Sequence, residues 1–504
     1  MCPTNRAKTS CFSANGSVTA DGDGDPIAQQ LTLSADGRAI LDITFIDGGI
    51  VLKENILTNG SIFKALFLFS LPIIVTNTIN ILFHAADVAV LSFFSGDADV
   101  AAVGACGSLI TLMVSLFTGF AAGANVLISK RVGANDEQGT KKAIGTSLSI
   151  AFFSGVFLML VSLIFARKFL ILMNCQPDVL DKAALYLKIY FLGSPIMMLN
   201  SFAVGGVSAS GDSTRPMIYS MLSGVINVGL NVVFVAVFRL SVAGVAIATV
   251  LSASVSLILV LIRLFSGRGR CRAEFASLKI YKNDLLEIVK VGVPTCLCSL
   301  SFFLANVILA SAVNSISTEA MSANTISGQF DGIIYTVGAA IASAASVIVA
   351  QNYGARNVAR MKKAVLIGVS YATLISLLLG SIFVIFADPL LKILSDSERV
   401  VALAKDRMTF LCLTYFITSI MEVFAFSLRA IRHQLSTMIV GAVCGFGIRC
   451  FWRYFIWPVN PTLAMLFASY AVSAFAAIVI YLFVYRFALK TLQCEEQRVL
   501  EPSK

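Results

Sequence analysis

The chain has 504 residues, of which 57% are hydrophobic and only 13% charged, with a formal net charge of +10. A soluble globular chain averages about 25% charged residues, and even a domain of about 300 residues leaves roughly a quarter of its unfolded surface in water. Lipid is therefore the solvent for most of this surface. Because the basic residues lie scattered between apolar runs, the net charge marks membrane topology and excludes a nucleic-acid partner.

Residues 1–60 open the chain as a polar tail without the apolar stretch of a signal peptide. A disordered cytoplasmic segment is expected there, with a short strand over 39–45. Crossing a hydrocarbon core of about 30 Å takes about 20 apolar residues. Runs of that length fall at 63–94, 102–129, 142–166, 183–209, 215–238 and 243–265. After a linker over 267–286 they resume at 287–313, 320–350, 364–387, 404–428, 435–457 and 463–489, and a tail over 491–504 closes the chain. The expected fold class is all-α integral membrane: about twelve transmembrane helices in two pseudo-symmetric six-helix bundles, 61–266 and 287–490. Pro72 and Pro294 stand at matching places in the first helix of each bundle, where the missing N–H permits a hinge.

Loop charges orient these spans. One set of loops carries Lys130, Arg131, Lys141, Lys142, Arg268, Arg270, Arg356, Arg360, Lys362 and Lys363, while the opposite set carries few, among them Arg167, Lys168 and Lys182. The positive-inside rule then puts both termini in the cytoplasm, and a plasma (inner) membrane location is expected. Gly133-Ala134, followed by Lys141-Lys142-Ala143, recurs at one constant offset as Gly354-Ala355 and Lys362-Lys363-Ala364. Ile164-Phe165-Ala166 and Ile385-Phe386-Ala387 keep the same offset, which argues for duplication. A six-span unit is even-numbered, so both copies enter the bilayer from one side. Parallel repeats of this kind are a transporter architecture.

The 11 cysteines and two histidines form no metal-ligand pattern, and Walker, GxSxG and HExxH sequences are absent. No metal, cofactor or enzymatic activity is expected, so an ion gradient must drive any pumping. Polar side chains at membrane depth cost free energy and need a purpose. Asn77, Asn80, His84 and Asp87 share one stripe of the first helix, which faces either a cavity or another helix rather than lipid. Asn200, Asn227 and Asn231 add amides in the fourth and fifth spans. In the second bundle the candidates are Asn306, Asp331, Glu422, Arg449 and Arg453. Glu422 and Arg449 are either site residues or a packing pair, and Arg449 and Arg453 read as the only deep arginines.

Ser70-Leu71-Pro72, Asp87, Ala101-Ala102-Val103-Gly104, Gly133-Ala134 and Ser210-Gly211-Asp212-Ser213 mark the first half. Gly292-Val293-Pro294 and Gln351-Asn352-Tyr353-Gly354-Ala355 mark the second. In their order and spacing these segments resemble the multidrug and toxic compound extrusion (MATE) family of cation-coupled antiporters, over roughly residues 58–489. The resemblance implies export of small organic, cationic or amphipathic compounds by alternating access, with H⁺ or Na⁺ as the coupling ion. It implies an ion-coupling role for Asp87; His84, by its own spacing one turn earlier on the same helix face, is either a relay beside it or a neutral histidine bonded to a carbonyl. It also implies cation or substrate recognition by Asp331 and Glu422. Asn231 departs from the family pattern: many relatives carry an aspartate there, at the end of an N-x3-D pattern begun here by Asn227. A monomer is expected, with the small-molecule substrate and the lipid bilayer as its partners. The alternative is a flippase for a lipid-linked oligosaccharide or another lipid of the same superfamily fold, whose cavity would be markedly cationic.

Overall fold

The computed structural model describes residues 43–46, 49–52, 56–95, 97–172, 177–266, 272–393, 395 and 397–500. β1 (Ile43–Ile46) and β2 (Gly49–Leu52) form an antiparallel ladder that pairs Ile43 with Leu52 and Ile46 with Gly49. The strand expected over 39–45 overlaps β1 at residues 43–45, and residues 1–42 lie outside the described residues. Disorder does not extend over the whole of 1–60: after the ladder, α1 (Ile56–Asn59) is helical and Leu57 is buried. The Leu57 carbonyl accepts from Asn352 Nδ2 at 3.0 Å, and the Gly60 carbonyl accepts from Arg360 Nη2 at 2.6 Å. Side chains from the second half thus satisfy backbone groups just ahead of the first span.

In the first half follow α2 (Ile62–Phe94), α3 (Asp97–Gly133), α4 (Glu137–Leu172), α5 (Pro177–Leu192), α6 (Ser194–Ala209), α7 (Thr214–Asn231) and α8 (Ser241–Phe265). The second half holds α9 (Lys282–Asn314), α10 (Thr318–Gly354), α11 (Val358–Ile385), α12 (Ala387–Lys392) and α13 (Glu398–Ala430). It ends with α14 (Gln434–Val440), α15 (Arg449–Phe451) and α16 (Leu463–Leu500). Wider π turns extend α7 over Val232–Val237 and join α14 to α15 over Gly441–Ile448. Among the described residues 11 helices are long and apolar enough to cross a membrane, and α5 with α6, bent by 48°, can supply a twelfth. The run 183–209 is therefore not one straight span. Pro195 in the first turn of α6 lacks the N–H that would continue α5, and Ser194 Oγ donates to the Phe191 and Gly155 carbonyls, each at 2.7 Å. At the end of the chain, α16 runs helical through Leu500, well into the expected tail.

The repeated Gly-Ala motif has a structural meaning. Asn135 (φ 54°) and Arg356 (φ 56°) each follow a Gly-Ala pair in the left-handed region. The next residue caps the next helix: Asp136 Oδ1 accepts from the Gly139 N–H at 2.8 Å, and Asn357 Oδ1 from the Arg360 N–H at 3.0 Å. These twin turns also meet. A Cβ on Gly133 would stand 1.9 Å from the Gln351 carbonyl oxygen, and one on Gly354 1.9 Å from that of Lys130. Only glycine permits so close an approach of two backbones. The halves are thus pressed together at this end, where α3 also packs tightly on α9 through Gly119 against Cys296 and Gly123 against Ile288. Charges ring the contact: Lys130 Nζ lies 3.8 Å from Glu287, Arg432 also pairs with Glu287, and Arg131 pairs with Asp284.

Candidate functional site

Asp87 sits late in α2, buried against α7. Asn231 Nδ2 donates to Asp87 Oδ1 and, at 3.3 Å, to Asn227 Oδ1. Asn227 and Asn231 are one helical turn apart on α7, so a single face presents both amides. Both are buried, and the Asn231 Oδ1 has no hydrogen-bond partner among the described residues. His84 Nδ1 lies 3.8 Å from Asp87 Oδ2, with the imidazole 72% exposed against 9% for the carboxylate. That exposure is unlike a core histidine bonded to a carbonyl.

The expected stripe on α2 therefore divides. Asp87 points into the first half, His84 and Asn80 are exposed, and Asn77 lines a cavity between the halves. Asn200 stands apart, accepting from Ser256 Oγ at 3.0 Å and so joining α6 to α8. The cavity measures about 390 Å³, lined among others by Phe69, Asn77, Asn125, Thr295, Ser346 and Arg429. Pro72 and Pro294 lie within α2 and α9 respectively, and both helices continue through them. Beyond the cavity, away from the Gly133–Gly354 contact, Asn80, His84, Thr111, Thr325 and Gln329 are exposed polar positions on α2, α3 and α10. Polar side chains are costly in lipid, so these positions are expected to face water in a cleft between the halves.

In the second half the pairing differs from the sequence reading. Glu422 does not meet Arg449; its nearest cation is Arg429, at 4.0 Å. Arg429 ends α13 buried beside the cavity and covers the Phe426 ring at 4.2 Å. Asp331 is not an isolated acid either. Arg407 grips it in a fork, Nη1 to Oδ1 at 3.1 Å and Nη2 to Oδ2 at 3.2 Å, while the Tyr415 hydroxyl donates to Oδ2 at 3.2 Å. Arg407 and Arg429 thus join Arg449 and Arg453 as deep arginines that the sequence reading passed over. The signal was available for Arg407. An acid at membrane depth calls for a cation, and Lys405 and Arg407 are the basic residues inside the run 404–428. Arg449 is buried between the Tyr470 and Phe302 rings, with neutral acceptors on Ser473 and Asn306. Arg453 lies over the Trp457 ring at 4.3 Å. No cluster of potential metal ligands occurs among the described residues.

The MatE family profile matches residues 72–233 and 294–455, two stretches of equal length that begin at Pro72 and Pro294. The chain belongs to the MATE family. Similar curated proteins include the probable multidrug resistance protein YoeA of Bacillus subtilis, 24% identical over 77% of this chain and 85% of that protein. The probable multidrug resistance protein NorM of Thermotoga maritima is 23% identical over 75% and 82%. The FAD transporter of Shewanella oneidensis is 23% identical over 76% and 86%. Among solved structures, a MOP superfamily transporter from Pyrococcus furiosus superposes with a TM-score of 0.81 at 22% identity, over 88% of this chain and 99% of that one. An outward-facing MATE transporter of the same superfamily gives a TM-score of 0.80 at 21% identity, over the same shares.

This MATE chain is accordingly a multi-pass membrane transporter of a multidrug efflux family, not an enzyme. The motifs that carried the resemblance have visible work. Pro72 and Pro294 open the two matched stretches, the Gly-Ala turns hold the halves together, and Gln351 Nε2 donates across to the Ala209 carbonyl at 2.8 Å.

Proposed function

We propose that this transporter is a cation-coupled antiporter, driven by H⁺ or Na⁺, that exports small amphipathic organic compounds, cationic ones included, by alternating access. One observation carries the reading. The buried acids Asp99, Asp212, Asp284 and Asp331 each pair with a lysine or arginine, whereas Asp87 has, among the described residues, only His84 and the Asn231 amide. A carboxylate at membrane depth without a fixed counter-charge is the group that can take up and release a cation. Asn231 donates to it in place of a second acid, so the first half offers one titratable or ion-binding charge. His84, exposed beside it, relays between Asp87 and the cleft, while Pro72 and Pro294 let α2 and α9 bend as the halves rock. Asp331 and Glu422 stand as second-half cation sites only in so far as Arg407 and Arg429 release them.

The end closed by Gly133 and Gly354 carries Lys130, Arg131, Lys141 and Lys142 and is assigned to the cytoplasm, which makes the cleft above Asn77 outward-open. The protein is placed in the plasma membrane as a monomer with both termini inside. Purified protein in liposomes, given an imposed pH or Na⁺ gradient and a panel of amphipathic dyes, tests the proposal. Dye should accumulate against its gradient only when one of the two ion gradients is present. Accumulation with neither would refute coupling.

A further inference from the structure

A second, smaller cavity lies at the closed end, between the halves. It measures about 250 Å³ and is lined among others by Gly123, Lys130, Glu287, Lys290, Arg432 and Gln434. Lys130 comes from α3 of the first half, Glu287 and Lys290 from early in α9, and Arg432 from the turn between α13 and α14. Three cations thus face one carboxylate. Glu287 is shared, 3.8 Å from Lys130 Nζ and paired also with Arg432, while Lys290 meets no carboxylate among the described residues. The crevice therefore holds an excess of two positive charges. Gln434 adds a side-chain oxygen with no hydrogen-bond partner among the described residues, and the same amide turned over offers its NH₂ instead.

The surroundings of this crevice say what would fill it. On α9, Leu286, Lys290, Val293 and Leu297 follow one another at helical spacing, so they share one face, and all of them are exposed. On α14, which packs beside α9, Leu435 and Ile439 are exposed one turn apart, next to Gln434. In a membrane-spanning chain such exposed apolar faces meet acyl chains. Lys290 belongs to both the crevice and that face, so a headgroup held in the crevice leaves its acyl chains lying along α9 and α14. A soluble anion would use the charges and leave the apolar faces unused. This end is also the one assigned above to the cytoplasm, and basic pockets between transmembrane helices on that side suit anionic headgroups.

We infer that this crevice binds the phosphodiester headgroup of an anionic phospholipid from the leaflet at the closed end, and that the bound lipid bridges α3 of one half to α9 and α14 of the other. The inference stands apart from the coupling reading, because binding is measured at equilibrium without export substrate or gradient. Native mass spectrometry of the purified full chain tests it, with palmitoyl-oleoyl phosphatidylglycerol titrated against the phosphatidylcholine of the same acyl chains. Each lysine or arginine beside an anionic headgroup corresponds to about a fivefold gain in affinity. Wild type should therefore prefer phosphatidylglycerol by about 25-fold, from two charges in excess. Lys290→Gln in one half and Lys130→Gln in the other should each weaken its binding about fivefold. Lys363→Gln, which removes an exposed lysine at the same end, should leave it unchanged. Gln434→Lys should strengthen it about fivefold, a gain that a misfolded chain cannot show. Equal affinities for the two lipids, or Lys290→Gln binding like wild type, overturn the inference. So does an equal loss in Lys363→Gln, which would mark diffuse surface charge. Full displacement of the lipid by equimolar inorganic phosphate also overturns it, since the ligand would then be a free anion.

Discussion

Removing Arg407 should be far more damaging than removing Arg407 and Asp331 together. Both side chains are almost fully enclosed, 6% and 8% exposed, and two parallel bonds of 3.1 and 3.2 Å join them. After Arg407→Met the carboxylate keeps a single donor, the Tyr415 hydroxyl. After Asp331→Asn the guanidinium keeps Ser327 Oγ at 2.9 Å and the Phe467 ring at 4.5 Å, neither of which carries charge. An orphaned buried charge costs about 3–5 kcal/mol, whereas replacing a whole buried pair is often near neutral. The single variants should therefore each lose about 3–5 kcal/mol, and Asp331→Asn with Arg407→Met together about 1 kcal/mol or less. Unfolding of purified protein in mixed micelles, titrated with SDS and followed by intrinsic fluorescence, reads the cycle. Losses that simply add in the double variant would refute the pair. Transport by the double variant then separates roles: restored transport assigns Asp331 to packing, and stable protein without transport assigns it to ion or substrate handling.

Three further outcomes follow from the closed end and the topology. Gly354→Ala puts a methyl 1.9 Å from a backbone oxygen and should cost about 1–3 kcal/mol or open the contact, while Gly104→Ala, which meets nothing within 4 Å, should be neutral in the same thermal assay. Glu287→Gln removes the shared partner of Lys130 and Arg432. These pairs are partly solvated, so the loss is about 1 kcal/mol, a few-fold shift toward the opened end, read as a longer spin-label distance between the ends of α3 and α9; an unchanged distance distribution counts against the latch. Cys2 and Cys494 should react with an impermeant maleimide only in inside-out vesicles, and labelling of either in intact cells contradicts the assigned orientation.

The span count was legible in the sequence because membrane helices announce themselves by length and apolarity. Gly133-Ala134 and Gly354-Ala355 were legible as a repeat but not as a contact, since nothing in a one-dimensional offset says that the two copies touch. Asp87 could be singled out because an acid among apolar neighbours is conspicuous. Its partner Asn231 was visible only as a departure from a pattern, because the pairing joins α2 to α7 across 144 residues. Arginine pairing was the weakest part. Glu422 was set against Arg449 on span assignment alone, but Arg429 lies about two turns along the same helix, within reach of Glu422 at 4.0 Å. Arg407 was legible as a cation near the start of the run 404–428 but not as the partner of Asp331, because the pairing joins α13 to α10 across 76 residues. The bend between α5 and α6 leaves no trace in hydropathy, but Pro195, whose missing N–H permits a kink, marks its place in the sequence.

The central claim is that Asp87 couples ion movement to export, and Asp87→Asn in sealed liposomes addresses it most directly. The substitution keeps the shape and leaves an amide beside Asn231, with no charge orphaned because no lysine or arginine pairs with Asp87. Wild type should concentrate dye under an imposed ion gradient, and the variant should only equilibrate it at the same protein density and thermal midpoint. Concentration by the variant to the wild-type level would contradict the account.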